Sequence, residues 1–173
     1  MNDREFVAAL KACGAVQFGS FTLASGKTSD YYVDIKRVTQ PVVLREIGRR
    51  MAPHVAGHDR IAGVELGAIP LAVVVSLESG LPFLMVRKEA KEHGMKRTFE
   101  GEMDAGDRVA FVEDVVTTGG TLREAIERMR AEGAVVDRAV AVVDREEGGR
   151  ATLLGAHVEL VALLRAKDLR ALG

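Results

Sequence analysis

From Pro41 to Leu164, short apolar runs alternate with stretches whose apolar residues recur at helical spacing, and this alternation constrains the fold more than any other feature. The runs are IAGVEL, PFLMVR, RVAFVED, VVDRAVAVVD and VELVALL. They are rich in β-branched residues and largely lack a polar alternation, so they read as strands buried on both faces. Around them, Pro41 suits the first position of a helix that turns Val43, Leu44, Ile47 and Met51 inward, and a second helix starts at Pro70. A third helix uses Leu122, Ala125, Ile126 and Met129 before a stop at Gly133. Strand and helix in repeated order predict an α/β fold, with a central, mainly parallel sheet flanked by helices. Ligands of such sheets lie beyond the carboxyl ends of the strands.

The first part of the chain has a different pattern. Phe6, Val7, Leu10 and Cys13 share one helical face, with Asp3 as the expected cap and Gly14 as the stop. FTL and YYVDI, around the polar turn ASGKTSD, then read as a hairpin. At 173 residues and 47% hydrophobic, with no linker-like tract, the chain is expected to form one domain, residues 1–173.

Composition excludes several classes of function. With 24 Lys+Arg against 25 Asp+Glu, the net charge of -1 gives no global attraction to nucleic acid or an anionic membrane. Cys13 is the only cysteine, which excludes an intrachain disulfide and a cysteine-rich zinc site. The longest apolar run, Ile69 to Leu77, is too short to span a bilayer, and the N-terminus is charged and polar, so a cytoplasmic protein is expected. His54 and His58 have the i, i+4 spacing of a helical metal pair, but Gly57 intervenes and no H-E-x-x-H accompanies them. No metal site built from side chains is expected.

The segment VAFVEDVVTTGGT, Val109 to Thr121, carries the strongest chemical signal. An apolar strand ends in Glu113 and Asp114 and passes through Thr117, Thr118, Gly119, Gly120 and Thr121 into a helix. Glycines let the backbone approach a ligand, so that N–H groups and the positive helix end face an anion, and the threonine hydroxyls add donors. Two adjacent carboxylates suit a sugar diol or a metal-bound polyphosphate. The same residues also fit a solvated strand end followed by an ordinary cap. Neither G-x-x-x-x-G-K-[ST] nor G-x-G-x-x-G occurs, so the common nucleotide loops do not apply.

Four apolar residues, two acids, two apolar residues and a Thr/Gly-rich turn resemble the phosphoribosyl-pyrophosphate (PRPP) signature of type I phosphoribosyltransferases. The resemblance implies that Asp114, with Glu113, binds the ribose hydroxyls, that Thr117 to Thr121 hold the 5-phosphate, and that Val115 and Val116 also belong to the PRPP site, with Mg2+ accompanying PRPP. A second segment, Arg87-Lys88-Glu89-Ala90-Lys91-Glu92-His93-Gly94, follows a predicted strand. Alone it fits a solvated charge run with internal acid partners. Beside the first motif it resembles the catalytic loop of orotate phosphoribosyltransferases, in which Arg87, Lys88, Lys91 and His93 would contact pyrophosphate and Lys91 would stabilise the transition state.

FGSFTLASGKTSDYYVDIK is similar to that family's hood over the base, at approximately residues 1–40, and AVVDREEGG to its base-binding strand end. On this resemblance Arg145 and Thr117 would contact orotate. A guanidinium suits a planar, anionic pyrimidine carboxylate; the alternative is a surface ion pair with Glu146 or Glu147, worth about 1 kcal/mol or less. Tyr31 and Tyr32 fit either packing beside the base or the core. The family also implies a homodimer with shared active sites. Ala24 and Gly67 stand where many or some relatives have lysine, and Lys27 or Lys36 are the nearby cations that could compensate. The competing readings are transfer to another base, or a PRPP-sensing regulator that binds RNA or DNA; the near-zero net charge counts against the regulator.

Overall fold

The structure, a computed structural model, describes residues 1–22, 26, 28–88 and 98–172. Asn2, not Asp3, caps the first helix, α1 (Asp3–Ala12). Its side chain accepts from the Glu5 N–H at 2.9 Å while Glu5 accepts from the Asn2 N–H at 2.8 Å. This reciprocal box requires the cap three residues before the glutamate, a position that Asn2 occupies and Asp3 does not. The hairpin follows as β1 (Val16–Thr22) and β2 (Thr28–Val33), paired antiparallel. β1 starts earlier than FTL because a register irregularity between Phe18 and Phe21 breaks the alternation that would mark it.

The remaining elements are α2 (Pro41–Met51), β3 (Arg60–Val64), α3 (Ile69–Ser79), β4 (Phe83–Val86), β5 (Phe99–Glu100), β6 (Arg108–Val116), α4 (Gly120–Ala131), β7 (Val135–Asp144), α5 (Gly149–Gly155), β8 (Glu159–Arg165) and α6 (Ala166–Leu172). Short 3-10 turns occupy Ile35–Arg37 and Ala52–Val55. The two-residue β5 and the short α5 and α6 have no counterpart in the sequence reading, since none is long enough to show a period. Among the described residues no helix is long and apolar enough to cross a membrane.

The main sheet has the order β5-β4-β3-β6-β7-β8 and is parallel throughout except for β5, which pairs antiparallel with β4. Residues along its strands alternate between two apolar clusters. Ala110, Val112, Val140 and Val142 join Phe6, Leu10, Ile47, Met51, Leu71 and Leu169 on one face. Val109, Phe111, Ala139 and Ala141 join Leu122, Ile126, Met129 and Leu153 on the other. The sheet is therefore covered on both faces, by α1, α2, α3, α6 and the hairpin on one side and by α4 and α5 on the other. Strand order reverses at the β3–β6 pair, which opens a crevice beyond their carboxyl ends.

Candidate active site

The acidic pair stands at this crevice, though β6 continues two residues past it to Val116. Glu113 keeps its ladder position opposite Ala141, and the next paired residue is Val115, opposite Val143. Each acid turns back onto the chain: Glu113 Oε1 accepts from the Asp114 N–H at 2.9 Å, and Asp114 Oδ1 from the Val115 N–H at 2.7 Å. Burial, reinforced by neighbouring Asp114, pushes the Glu113 carboxyl well above the usual range.

The loop leaving β3 closes on the same spot. The Glu65 N–H donates to the Val86 carbonyl at 2.9 Å, and the Glu65–Leu66 peptide bond is cis. A Cβ placed on Gly67 would lie 2.4 Å from Asp114 Oδ2. Glycine lets the loop backbone lie against this carboxylate without displacing it. Lys36 approaches from the turn after β2, with Nζ 2.9 Å from Asp34 Oδ1 and 3.8 Å from Asp114 Oδ2. The pairing with Asp34 holds the Lys36 ammonium above its ordinary range, and Lys36 and Arg37 together outweigh burial to keep Asp34 below its own. Lys36, Glu65, Leu66, Gly67, Lys88, Asp114 and Thr121 border one open pocket of about 480 Å³.

Thr117 to Thr121 form a second, smaller pocket of about 110 Å³ with Glu113, Val115, Val116 and Leu122. Gly119 has φ 77° at the cap of α4, a left-handed conformation that glycine adopts without strain. The first N–H groups of a helix have no partner within it, and the first turn of α4 contains no acid to compete with an incoming anion. Gly149 supports this cradle from behind: its N–H donates to the Thr117 carbonyl at 2.9 Å, and a Cβ there would lie 2.4 Å from Val116 Cγ1. Reasoning from sequence did not single out Gly149; its signal was the second glycine of EEGG.

The other expected residues fall in different places. Arg87 pairs with Glu100 at 2.5 Å, and the Lys88 N–H donates to Glu65 at 2.8 Å. Lys91, His93, Ala24 and Lys27 lie outside the described residues. Arg145 donates from Nε to Glu147 at 2.7 Å with its side chain only 8% exposed, and its guanidinium lies 5.0 Å from the centre of the Tyr31 ring. The ion pair considered from sequence is therefore present, but on a half-buried arginine. Tyr31 is a core residue at 1% exposure, whereas Tyr32 is 36% exposed and packs on Phe21. Thr117 and Arg145 border separate pockets, joined through the backbone by the Arg145 N–H donating to the Val116 carbonyl at 2.9 Å. Cys13 is half-buried and donates to Gln40, and His58 bonds Asp137 and the Val55 carbonyl.

A family profile described as a phosphoribosyl transferase domain matches residues 36–153, a span that includes the acidic pair, the cradle and the β3 loop. The orotate phosphoribosyltransferase of Methanosarcina acetivorans is 52% identical over 169 residues, covering 96% of this chain and 90% of its own. This chain belongs to the orotate phosphoribosyltransferase family. Two solved structures superpose closely. Leishmania donovani UMP synthase matches with a TM-score of 0.88 and 38% identity over 99% of this chain, which corresponds to 38% of that longer one. Mycobacterium tuberculosis orotate phosphoribosyltransferase in complex with PRPP matches with a TM-score of 0.79 and 29% identity, covering 96% of this chain and 98% of its own. Like its relatives, the chain is a phosphoribosyl-transferring enzyme of the type I fold.

Proposed function

We propose that this family member transfers the 5-phosphoribosyl group of PRPP to orotate, releasing pyrophosphate and orotidine 5′-phosphate in de novo UMP synthesis. The observation that carries the reading is Asp114, packed against Gly67 and next to the Thr117–Thr121 cradle at the point where strand order reverses. Sugar hydroxyls donating to Asp114 and Glu113, with the 5-phosphate in the cradle, would present C1 toward the β3 loop. N1 of orotate attacks C1 with inversion, through a transition state with oxocarbenium character and no covalent enzyme intermediate. The protein supplies placement and stabilisation of charge on the departing pyrophosphate. Arg87, Lys88, Lys91 and His93 are assigned to the pyrophosphate, and Arg145 and Thr117 to orotate. Glu113 and Asp114 act on the hydroxyls and not as general base, because N1 can arrive deprotonated.

The donor set fits magnesium brought in with PRPP. Among the described residues no group of three or more His, Cys, Asp or Glu could hold a metal, whereas magnesium commonly binds one or two carboxylates together with substrate phosphates. Asp114 and Glu113 are the carboxylates for that role, and the ion would neutralise part of the pyrophosphate charge. The protein is proposed to be a cytoplasmic homodimer whose sites are shared between subunits, with residues 1–173 forming a single domain and approximately residues 1–40 its hood.

The test is a panel of orotate, uracil and purine bases with PRPP at saturating magnesium, followed by chromatography of the nucleotide product. Orotidine 5′-phosphate should dominate. Faster turnover of another base would reassign the pocket.

A further inference from the structure

Lys36 lies outside both motifs that suggested the chemistry, yet it reaches the centre of the site. It is carried by the 3-10 turn Ile35–Arg37, fixed in place by Ile35, which is 2% exposed in the core. Its side chain is 55% exposed, with Asp34 at 2.9 Å on one side and Asp114 at 3.8 Å on the other. Asp34 Oδ1 is buried, and the Lys36 ammonium at 2.9 Å is its ion-pair partner.

The pocket bordered by Lys36 also contains Glu65, Glu113 and Asp114. A pyrophosphate entering it meets the acidic side chains of Glu65, Glu113 and Asp114, and among the described residues that border it the cations are Lys36 and Lys88. Gly67 decides the geometry: a Cβ there would lie 2.4 Å from Asp114 Oδ2 and 3.4 Å from Lys36 Cγ. A side chain at position 67 would displace the Asp114 carboxylate and crowd the Lys36 stem as they stand. With glycine at position 67, the cation beside this wall is Lys36, which reaches it from the turn after β2.

We infer that Lys36 is a substrate-binding residue whose ammonium meets the pyrophosphate of PRPP beside the Glu65–Gly67 loop. This rests on the reaction proposed above and adds a specific contact to it. The neighbouring Asp34 keeps the ammonium charged and pre-positioned, and the 5-phosphate at the other end of the ligand does not involve it.

The experiment is calorimetric titration of wild type, Lys36→Met and Lys36→Arg with PRPP, inorganic pyrophosphate and ribose 5-phosphate, each with magnesium. Lys36→Met should weaken PRPP and pyrophosphate by about 10- to 100-fold, the range for losing a charge-assisted hydrogen bond, while ribose 5-phosphate binds as before. Lys36→Arg should recover most of the loss. Equal weakening of ribose 5-phosphate would mean that Lys36 only orients Asp114, and would overturn the inference. So would Lys36→Met binding PRPP as tightly as wild type. Wild type failing to bind PRPP would instead overturn the reaction itself. Should Lys36→Met misfold by circular dichroism, Lys36→Gln carries the same comparison.

Discussion

Arg128, in the third turn of α4, donates from its guanidinium to the backbone carbonyl of Arg87 at 3.0 Å. The same group reaches the Lys88 carbonyl at 3.2 Å, and Glu132, just past the end of the helix, accepts from the Thr98 N–H at 3.0 Å and from its hydroxyl. The helix whose N-terminus forms the proposed phosphate cradle thus also holds the chain on both sides of the charged segment. Arg128→Ala should lower kcat by about 100-fold, the cost of slight misplacement of catalytic groups, while ribose 5-phosphate affinity is retained. An unchanged kcat would remove Arg128 from the positioning of Arg87 and Lys88.

Asp114→Asn should preserve the fold, because the carboxylate faces the crevice and not the core. It should weaken PRPP by about 10- to 100-fold, since it replaces a charged acceptor of the sugar hydroxyls with a neutral one. Calorimetry with unchanged PRPP affinity would rule out the diol role.

The raised carboxyl of Glu113 gives a stability difference of defined sign. Below the ordinary value of 4.5 the group is protonated in both folded and unfolded chains and contributes nothing. As pH rises through that value the unfolded chain loses the proton and the folded one keeps it, so stability falls until the folded group also ionises. Glu113→Gln removes this loss. Thermal unfolding should show the variant gaining on wild type as pH rises from the acid side toward neutrality; a difference independent of pH would contradict the assignment.

The Arg145 guanidinium, proposed to meet the carboxylate of the base, donates from Nε to Glu147 at 2.7 Å. Arg145→Ala should raise KM for orotate far more than KM for PRPP, and Glu147→Gln, by freeing the guanidinium, should lower KM for orotate. Equal effects of Arg145→Ala on both substrates would move it out of the base pocket.

If the sites are shared between subunits, Lys91 serves a site whose Asp114 belongs to its partner. Lys91→Ala and Asp114→Asn should each be nearly inactive alone, since loss of one group stabilising developing charge costs on the order of 100- to 1,000-fold. Random exchange of equal amounts makes half the dimers mixed, each with one intact site, so about a quarter of wild-type activity should return. If mass spectrometry confirms exchange and activity does not rise, the shared site fails.

The sequence by itself determined the five parallel strands of the main sheet, the longer helices and the Thr117–Thr121 turn, because these depend on local rules. A period of two or 3.6 residues marks which side of an element is buried, and Gly119 at the helix start is required by backbone conformation at that one position. The acidic pair and the Thr/Gly turn lie within one short segment, so their proximity was never in question. Tertiary structure decided what those residues meet. An apolar strand pattern states that β3 and β6 are buried but not that they are neighbours, and only that pairing brings Gly67 beneath Asp114. Lys36 at the acidic pair, Arg128 on the carbonyls of Arg87 and Lys88, and Arg145 beside Tyr31 while Thr117 faces another pocket are contacts between distant segments. Such contacts leave no periodic trace in the chain, because they depend on the order in which parallel crossovers stack the strands.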